Sequence, residues 1–312
     1  MVIRVSLSAR LFCLDTVMID VILKIPSIPT AGSDTLAPHR LVTTGGGYNA
    51  MSAATRQGMA CVYAGRLGTG PFSSIAREAL LGDSIATPIE PDASSDVGFC
   101  VALIDDVGER TFITSPGSEV TLRPLDLAGL DVSDGDYVLV SGYNVIYSGL
   151  DLVVLDWLAN LPDGVVVAFD PSNRVMDIPA QNLDMVFTRA DWVFCNETEA
   201  SLLTGEGVRE ESARALAARS GRRGVVVRQG ASGCSVTGVG EATQTVPGFT
   251  TEVLDTNGAG DTHTGVFLAE LARGTAVLDA AQRANAAASV AISLLGPASC
   301  PTRDVVTAMV EA

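Results

Sequence analysis

The sequence predicts an α/β protein in three layers, a mostly parallel central sheet with helices on both faces. Short apolar runs rich in Val alternate along the chain with stretches of helical period, the order that lays crossover helices over a parallel sheet. Those runs are apolar at consecutive positions, as strands buried on both faces require. One segment, Val97–Thr114, breaks the rhythm: it alternates and turns at Asp105-Asp106-Val107-Gly108, the signature of an antiparallel hairpin outside the main sheet. With 312 residues, 47% hydrophobic and 18% charged, the chain can bury a large core as one domain, 1–312, with a small accessory piece.

The elements follow in order. The N-terminal segment reads as a first strand, since Arg4, Arg10, Asp15 and Asp20 interrupt its apolar residues and no small-residue cleavage site follows. Val17-Met18-Ile19 leads into an alternating stretch of Val21, Leu23 and Ile25, and Gly45-Gly46-Gly47-Tyr48-Asn49 into Ala50, Met51, Ala53 and Ala54. Val138–Val140, Val165–Phe169, Trp192–Phe194 and Val225–Val227 read as buried strands. Leu150–Asn160, Thr198–Leu203 and Glu211–Ser220 read as the helices among them. From Thr262 the spacing of Val266, Leu268, Leu271 and Ala272 is helical, and Arg283–Ala287 lies in a further helix. No apolar stretch approaches the roughly 18 residues of a membrane span, so no transmembrane helix is expected.

Composition narrows the function. A formal net charge of −16 opposes sequence-independent nucleic-acid binding, which needs Lys and Arg to displace counterions. The single lysine, Lys24, has no glycines before it, so a Walker-type phosphate loop is excluded and phosphoryl transfer must rest on amides, arginines and a metal ion. The six cysteines form no C-x-x-C pair and the only histidines are His39 and His263, which suggests neither zinc nor a disulfide framework and fits a cytoplasmic enzyme. No G-x-G-x-x-G follows the first strand, against a dinucleotide dehydrogenase.

The chemistry concentrates in Asp255-Thr256-Asn257-Gly258-Ala259-Gly260-Asp261. Three small residues allow close approach at a predicted helix start, whose first N–H groups lack intrahelical partners and can hold an anionic oxygen. Asp261 is placed to take a proton. A cap at Asp255 or Thr256 would explain a helix start, but it needs neither the second acid nor three small residues in a row. His263 lies about 200° around the helix from Asp261, and faces away from the base.

On these residues the chain resembles the PfkB, or ribokinase-like, carbohydrate kinases. Asp255 through Leu271 is similar to their C-terminal signature and Gly45–Asn49, with Gly58, Gly65 and Gly68, to their N-terminal glycine motif. The chain departs from the family's usual residues at Met51, Asn257 and Val266. The resemblance implies a three-layer α/β/α ribokinase-like fold in which strands from about 17–44 and 97–114 form a small β lid over the sugar site. It implies ATP-dependent phosphorylation of a hydroxyl, with Asp261 as general base, Gly258, Ala259 and Gly260 as the anion hole, and Asp20, Gly46, Gly47 and Asn49 on the acceptor. Asp15 lies near Asp20, but Asp20 has the family's spacing to the Pro26–Pro29 turn.

Around the nucleotide the resemblance places Asn196, Glu199, Arg228, Gly230, Gly233 and Asn285. Asn196-Glu197-Thr198-Glu199 resembles a magnesium and phosphate motif, with Glu199 acting through the ion's water, and has equally the spacing of a capping box. Asn285 reads equally as an adenine-side residue or as a polar residue on a small-residue helix. Asp255, Asn257 and the 296–300 loop are candidate potassium oxygens. Homodimerisation through the lid stays open, with Phe99, Val101, Phe112 and Ile113 as candidates for its apolar face. The acceptor also stays open: a neutral sugar, a nucleoside stacked on Tyr48 or Tyr143, a sugar phosphate, or a 2-keto-3-deoxy sugar acid met by Arg174. Outside catalysis, the same fold could serve as a sugar or nucleotide sensor.

Overall fold

The computed structural model describes residues 9–205, 209–220, 222–294 and 296–312, so the first part of the expected N-terminal strand lies outside the described residues. Strand β1 (Arg10–Cys13) is followed by β2 (Val17–Lys24), β3 (His39–Gly46), β4 (Ala60–Tyr63), β5 (Phe99–Ile104) and β6 (Arg110–Ser115). Then come β7 (Tyr137–Ser141), β8 (Val166–Asp170), β9 (Trp192–Asn196), β10 (Gly224–Arg228), β11 (Cys234–Gly238) and β12 (Gln244–Val246).

Eight strands make the main sheet in the order β12-β11-β10-β9-β8-β7-β1-β4. Pairing is parallel from β4 through β10, and antiparallel for β10–β11 and β11–β12. The four buried strands read from the sequence are β7 to β10. Strands β4, β11 and β12 were not foreseen, because β4 has only four residues and the edge hairpin Cys234–Val246 is built mostly of small and polar residues.

Burial on both faces is visible residue by residue. Tyr137, Leu139, Val166, Ala168, Trp192 and Phe194 point into one core, with the helices Gly47–Arg56, Ala259–Ala272 and Val277–Ala291. Their neighbours Val138, Val140, Val167, Phe169, Val193 and Cys195 point into the other, under the helices Leu150–Ala159, Ala180–Arg189 and Arg209–Ser220. Period-two alternation inside an all-apolar run is what a sheet between two helical layers demands. Phe267 locks the first core: it is fully buried, edge-on to Trp192 and Phe194 at 5.3 Å each, and truncating such a ring costs about 3–5 kcal/mol.

One close crossing in that core sets the site. A Cβ on Gly265 would lie 2.2 Å from the Ala50 carbonyl oxygen, so its absence lets the helices Gly47–Arg56 and Ala259–Ala272 meet backbone to backbone. The two sequence motifs are thereby held side by side.

A separate four-stranded sheet, the one expected to form the lid, has the order β3-β2-β5-β6, with β5–β6 the antiparallel hairpin expected from Val97–Thr114. Asp20, Cys100 and Thr114 pair across it in one row that faces the cleft. Val42, Val21, Val101 and Ile113 make the adjacent row on the opposite side. The expected single apolar face is therefore corrected: Phe112, next to Ile113 on a pleated strand, turns into the cleft. The chain passes from β1 to the lid through Leu14, Asp15 and Thr16, and returns at Gly46, which has φ 63° and whose missing Cβ would strike the Thr16 carbonyl oxygen at 2.0 Å.

Candidate active site

Five adjacent strands end in a row at one edge of the main sheet. Asp15 follows β1, Ser141 ends β7, Asp170 β8, Asn196 β9 and Arg228 β10, with Ser141 beside Asp170 and Asn196 beside Arg228 in register. Ligands of open α/β sheets bind at the carboxyl ends of the strands. Here that edge forms the floor of a cleft of about 1070 Å³, roofed at one end by the lid and bounded at the other by Gly248–Thr251 and the helix Val277–Ala291.

The Asp255–Asp261 turn opens on the middle of this cleft. The helix starts at Ala259 with Gly258 as its left-handed cap residue (φ 73°), and a Cβ there would meet the Pro297 carbonyl oxygen at 2.3 Å. No side chain caps the helix. The Ala259 N–H turns toward the Thr256 carbonyl at 3.4 Å, while Gly260 and Asp261 have amides at the positive end of the helix dipole. Asp261 accepts from Asn49 Nδ2 at 3.0 Å, and burial raises its pKa to about 6 against the opposing effect of that bond.

At the lid end, Asp20 accepts from Asn257 Nδ2 at 3.4 Å, and burial lifts it to about 6. Gly45 makes this possible, since a Cβ there would overlap the Asp20 carboxyl at 2.3 Å. Gly46 lines the cleft, whereas Gly47 lies behind it: its missing Cβ admits the Asp15 carbonyl oxygen, 2.6 Å away. Tyr48 differs from expectation, donating to Asp83 Oδ2 at 2.9 Å away from the cleft, while Tyr143 lines it.

At the far end, Asn196 and Glu199 form the capping box: Glu199 N donates to Asn196 Oδ1 at 2.9 Å, and Asn196 N to Glu199 Oε2 at 2.8 Å. Both also line the cleft. Arg228 is a buried brace more than a free phosphate hand. Its Nη1 donates to Asp170 Oδ2 (2.9 Å), Thr264 Oγ1 (3.1 Å) and the Gly260 carbonyl (3.2 Å), and its Nη2 lies 3.8 Å from Glu199. Burial pulls its pKa down, but the Asp170 and Glu199 carboxylates outweigh this and keep it charged. Gly230 and Gly233 line the cleft, as does Asn285, whose Nδ2 donates to the Val246 and Pro247 carbonyls at 3.1 Å each.

Asp255 is held in place by its own neighbours. Its Oδ1 accepts from Arg110 Nη2 and the Asn257 amide, both at 2.9 Å, and its Oδ2 from the Gly296 amide at 3.2 Å.

The sequence profile of the pfkB family carbohydrate kinases matches residues 8–303. The chain belongs to this family. It is 32% identical over 301 residues to the uncharacterized sugar kinase YegV of Escherichia coli K12, covering 92% of this chain and 89% of that one. Its fold is similar to that of the ribokinase of Thermotoga maritima, with a TM-score of 0.83 at 23% identity over 97% of this chain and all of the other. The Arabidopsis thaliana ribokinase complexed with ribose and ATP superposes with a TM-score of 0.78 at 22% identity, covering 97% and 99% of the two chains. As a member of the pfkB family the protein is a sugar or nucleoside kinase, a phosphotransferase with an alcohol as acceptor.

For a pfkB kinase the cleft holds two residues that the sequence reading passed over. Asp15 lines it at the lid end, its Oδ1 accepting from Ser141 Oγ at 2.5 Å and from the Thr16 amide at 2.8 Å. Burial raises it to about 7. His263 lines the cleft as well, despite its turn away from Asp261; it is 3% exposed, and burial drives its pKa down to about 3, so the ring is neutral. Only the neighbouring strand ends reveal Asp15, and only the way the cleft wraps the helix start reveals His263.

At the far end of the cleft the donors present would suit a magnesium ion that keeps its waters. Among the described residues no three acidic, His or Cys side chains converge on one metal position, while Glu199 and Asp170, both lining the cleft, lie on either side of Arg228. A small hard cation that keeps its waters and takes its remaining ligands from phosphate suits such a donor set.

Proposed function

We propose that this protein is an ATP-dependent sugar kinase that transfers the γ-phosphoryl group to a hydroxyl of a small carbohydrate, the primary alcohol. The observation that carries this reading is the position of Asp261: mid-cleft, at an uncapped helix start, fixed by Asn49 from the second motif at 3.0 Å. The acceptor would lie under the lid against Asp20 and Asn49, and ATP along the ends of β9 and β10, beside Asn196, Gly230, Gly233 and Asn285.

The acceptor oxygen then attacks the γ-phosphorus, its proton passes to Asp261, the bond to the β-phosphate oxygen breaks and ADP leaves. The turn at Gly258, Ala259 and Gly260 lets the phosphoryl oxygens approach amides that gain strength as charge develops. A carboxylate beside a helix start is a weak base, but the alcohol becomes acidic as its bond to phosphorus forms, so placement matters more than resting basicity. Glu199 would hold a magnesium ion through its water, and the ion would supply charge neutralisation on the phosphates.

A nucleoside acceptor is the second reading, favoured by Tyr143 at the acceptor end of the cleft. A sensor without catalysis is opposed by the complete Asp261–Asn49 pair. The lid row Val42, Val21, Val101 and Ile113, with Val42 and Ile113 exposed, supports a homodimer through the lid. Six free cysteines fit the reducing cytoplasm we propose as its compartment, and no described helix is long and apolar enough to cross a membrane.

The deciding experiment is ADP release from ATP and magnesium across ribose, fructose, tagatose, nucleosides and sugar acids, with Asp261→Asn as the blank. One acceptor with strong turnover that the variant loses supports the reading; equal turnover by the variant overturns the role of Asp261.

A further inference from the structure

The acceptor end of the cleft is a set of hydrogen-bond acceptors. Asp15 and Asp20 reach it, from the turn after β1 and from β2, with Asp261 at its inner limit. Asp15 uses Oδ1 for Ser141 and Thr16, and its Oδ2 has no donor among the described residues. Asn49 is 3% exposed; its Nδ2 serves Asp261, and its Oδ1 is buried without a partner. A buried acceptor left without a donor is costly, so Asn49 Oδ1 calls for an O–H group from whatever fills the cleft, and Asp15 Oδ2 can take another.

Positive charge is scarce there. Arg174 and Arg228 are the cations lining the cleft among the described residues. Arg228 is held by Asp170, Thr264 and the Gly260 carbonyl. Arg174 is half-exposed and bound to Asp177 at 2.7 Å. A carboxylate or phosphate on the acceptor would bring more negative charge and more acceptors to a wall already made of both, and like charges set against each other cost several kcal/mol. A polyol brings the missing donors.

Resting on the kinase reading above, we infer that the acceptor is an uncharged polyhydroxylated compound whose hydroxyls are read from two sides, by Asp20 on the lid and by Asp15 at the sheet edge, and that acceptors carrying a carboxylate or a phosphate are excluded. Asp15 is thus a specificity residue, placed by Ser141 on the neighbouring strand. Its raised pKa, about 7, leaves part of the population able to donate as well as accept near neutrality.

The test compares neutral acceptors (ribose, fructose, tagatose) with anionic ones (2-keto-3-deoxygluconate, gluconate, fructose 6-phosphate) by kcat/KM of ADP release from the full chain. Neutral acceptors are expected to win by about 100-fold or more. Asp15→Ala, which removes both oxygens, is expected to raise the KM of the neutral acceptor roughly 10- to 100-fold with the KM for ATP unchanged. Asp15→Asn keeps an acceptor for Ser141 and removes the charge, so it should narrow the neutral-to-anionic ratio about tenfold. If Asp15→Ala does not fold, Asp15→Asn alone carries the comparison. An equal rise in both KM values, or an unchanged acceptor KM, overturns the assignment of Asp15. Turnover on anionic acceptors alone overturns the inference and leaves the kinase reading intact. Silence on every acceptor overturns the kinase reading, and the inference with it.

Discussion

Arg110, at the start of β6, places Nη2 2.9 Å from Oδ1 of Asp255, the residue that opens the Asp255–Asp261 turn 145 positions later. With Asn257 reaching toward Asp20 at 3.4 Å, it gives the lid two polar contacts to the turn. Both ends of the ion pair are largely shielded, with side chains 28% and 12% exposed. Arg110→Met would therefore loosen the lid over the acceptor more than it would unfold the chain. The expected outcome is an acceptor KM raised roughly tenfold, the worth of one charge-assisted hydrogen bond, with a melting temperature within a few degrees of wild type. The guanidinium already neutralises the carboxylate expected to help hold potassium, so wild-type turnover should be equal in potassium and sodium buffers. Potassium activation of the wild-type enzyme would refute this role for Arg110.

Asp261 should govern the acid limb of the pH profile. It must be ionised to take the proton, and burial raises its pKa to about 6, so kcat/KM should climb with pH to about 6 and level off above it. In Asp261→Asn, turnover should fall by roughly 10²- to 10⁴-fold with acceptor binding, read by calorimetry, retained. A variant that keeps wild-type turnover, or a profile flat from pH 5 to 8, would remove Asp261 from the role of base.

Burial of Asp15 also has a stability signature. Its folded pKa, about 7, lies above the roughly 3.9 of an unfolded aspartate, so the folded chain binds the extra proton between those values and the penalty of a buried charge is complete above about pH 7. Asp15→Asn should then melt higher than wild type at pH 8, with the difference shrinking through pH 7 to 4 and vanishing below that. Parallel melting curves at all pH values would contradict it.

The parts of this molecule legible in the sequence are those made by neighbours in the chain. The runs that became β7 to β10 carry their burial in consecutive Val and Phe residues, and the Asp255–Asp261 and Gly45–Asn49 motifs each carry their own turn. What was not legible depends on residues brought together across the sheet. Asp15 looked like a strand-end acid because its partner Ser141 is 126 residues away. Arg228 followed a strand like a free arm, yet Asp170 and Thr264, 58 and 36 residues distant, hold it. His263 and Asp261 lie about 200° apart on an isolated helix, but the cleft reaches both sides of the helix start, so both line it.

Gly258→Ala tests the turn itself. The residue has φ 73°, and an added Cβ would lie 2.3 Å from the backbone oxygen of Pro297, which has no flexible end to move aside. A left-handed non-glycine residue costs about 1–3 kcal/mol before any clash. The backbone must shift, and with it the Gly260 and Asp261 amides. Turnover should drop at least about 100-fold, as when an oxyanion donor is lost, in a protein that still folds and melts cooperatively. Wild-type turnover would show that the amides of this turn do not hold the transferring group.

Arg228→Met separates a brace from a phosphate ligand. The substitution leaves Asp170 and Glu199, both largely buried, without their shared cation, and it removes the link from β10 to the Gly260 carbonyl and Thr264. Breaking a buried pair in this way costs about 3–5 kcal/mol, because the surviving carboxylates are stranded in low dielectric. Urea unfolding of the variant without nucleotide should show that loss directly. Asp170→Asn combined with Arg228→Met should recover part of it, since the amide keeps the acceptor for the Ser172 N–H while dropping the charge. If the single variant is instead as stable as wild type and only its KM for ATP rises, Arg228 is a ligand of the nucleotide phosphates and the brace is not needed to hold the turn.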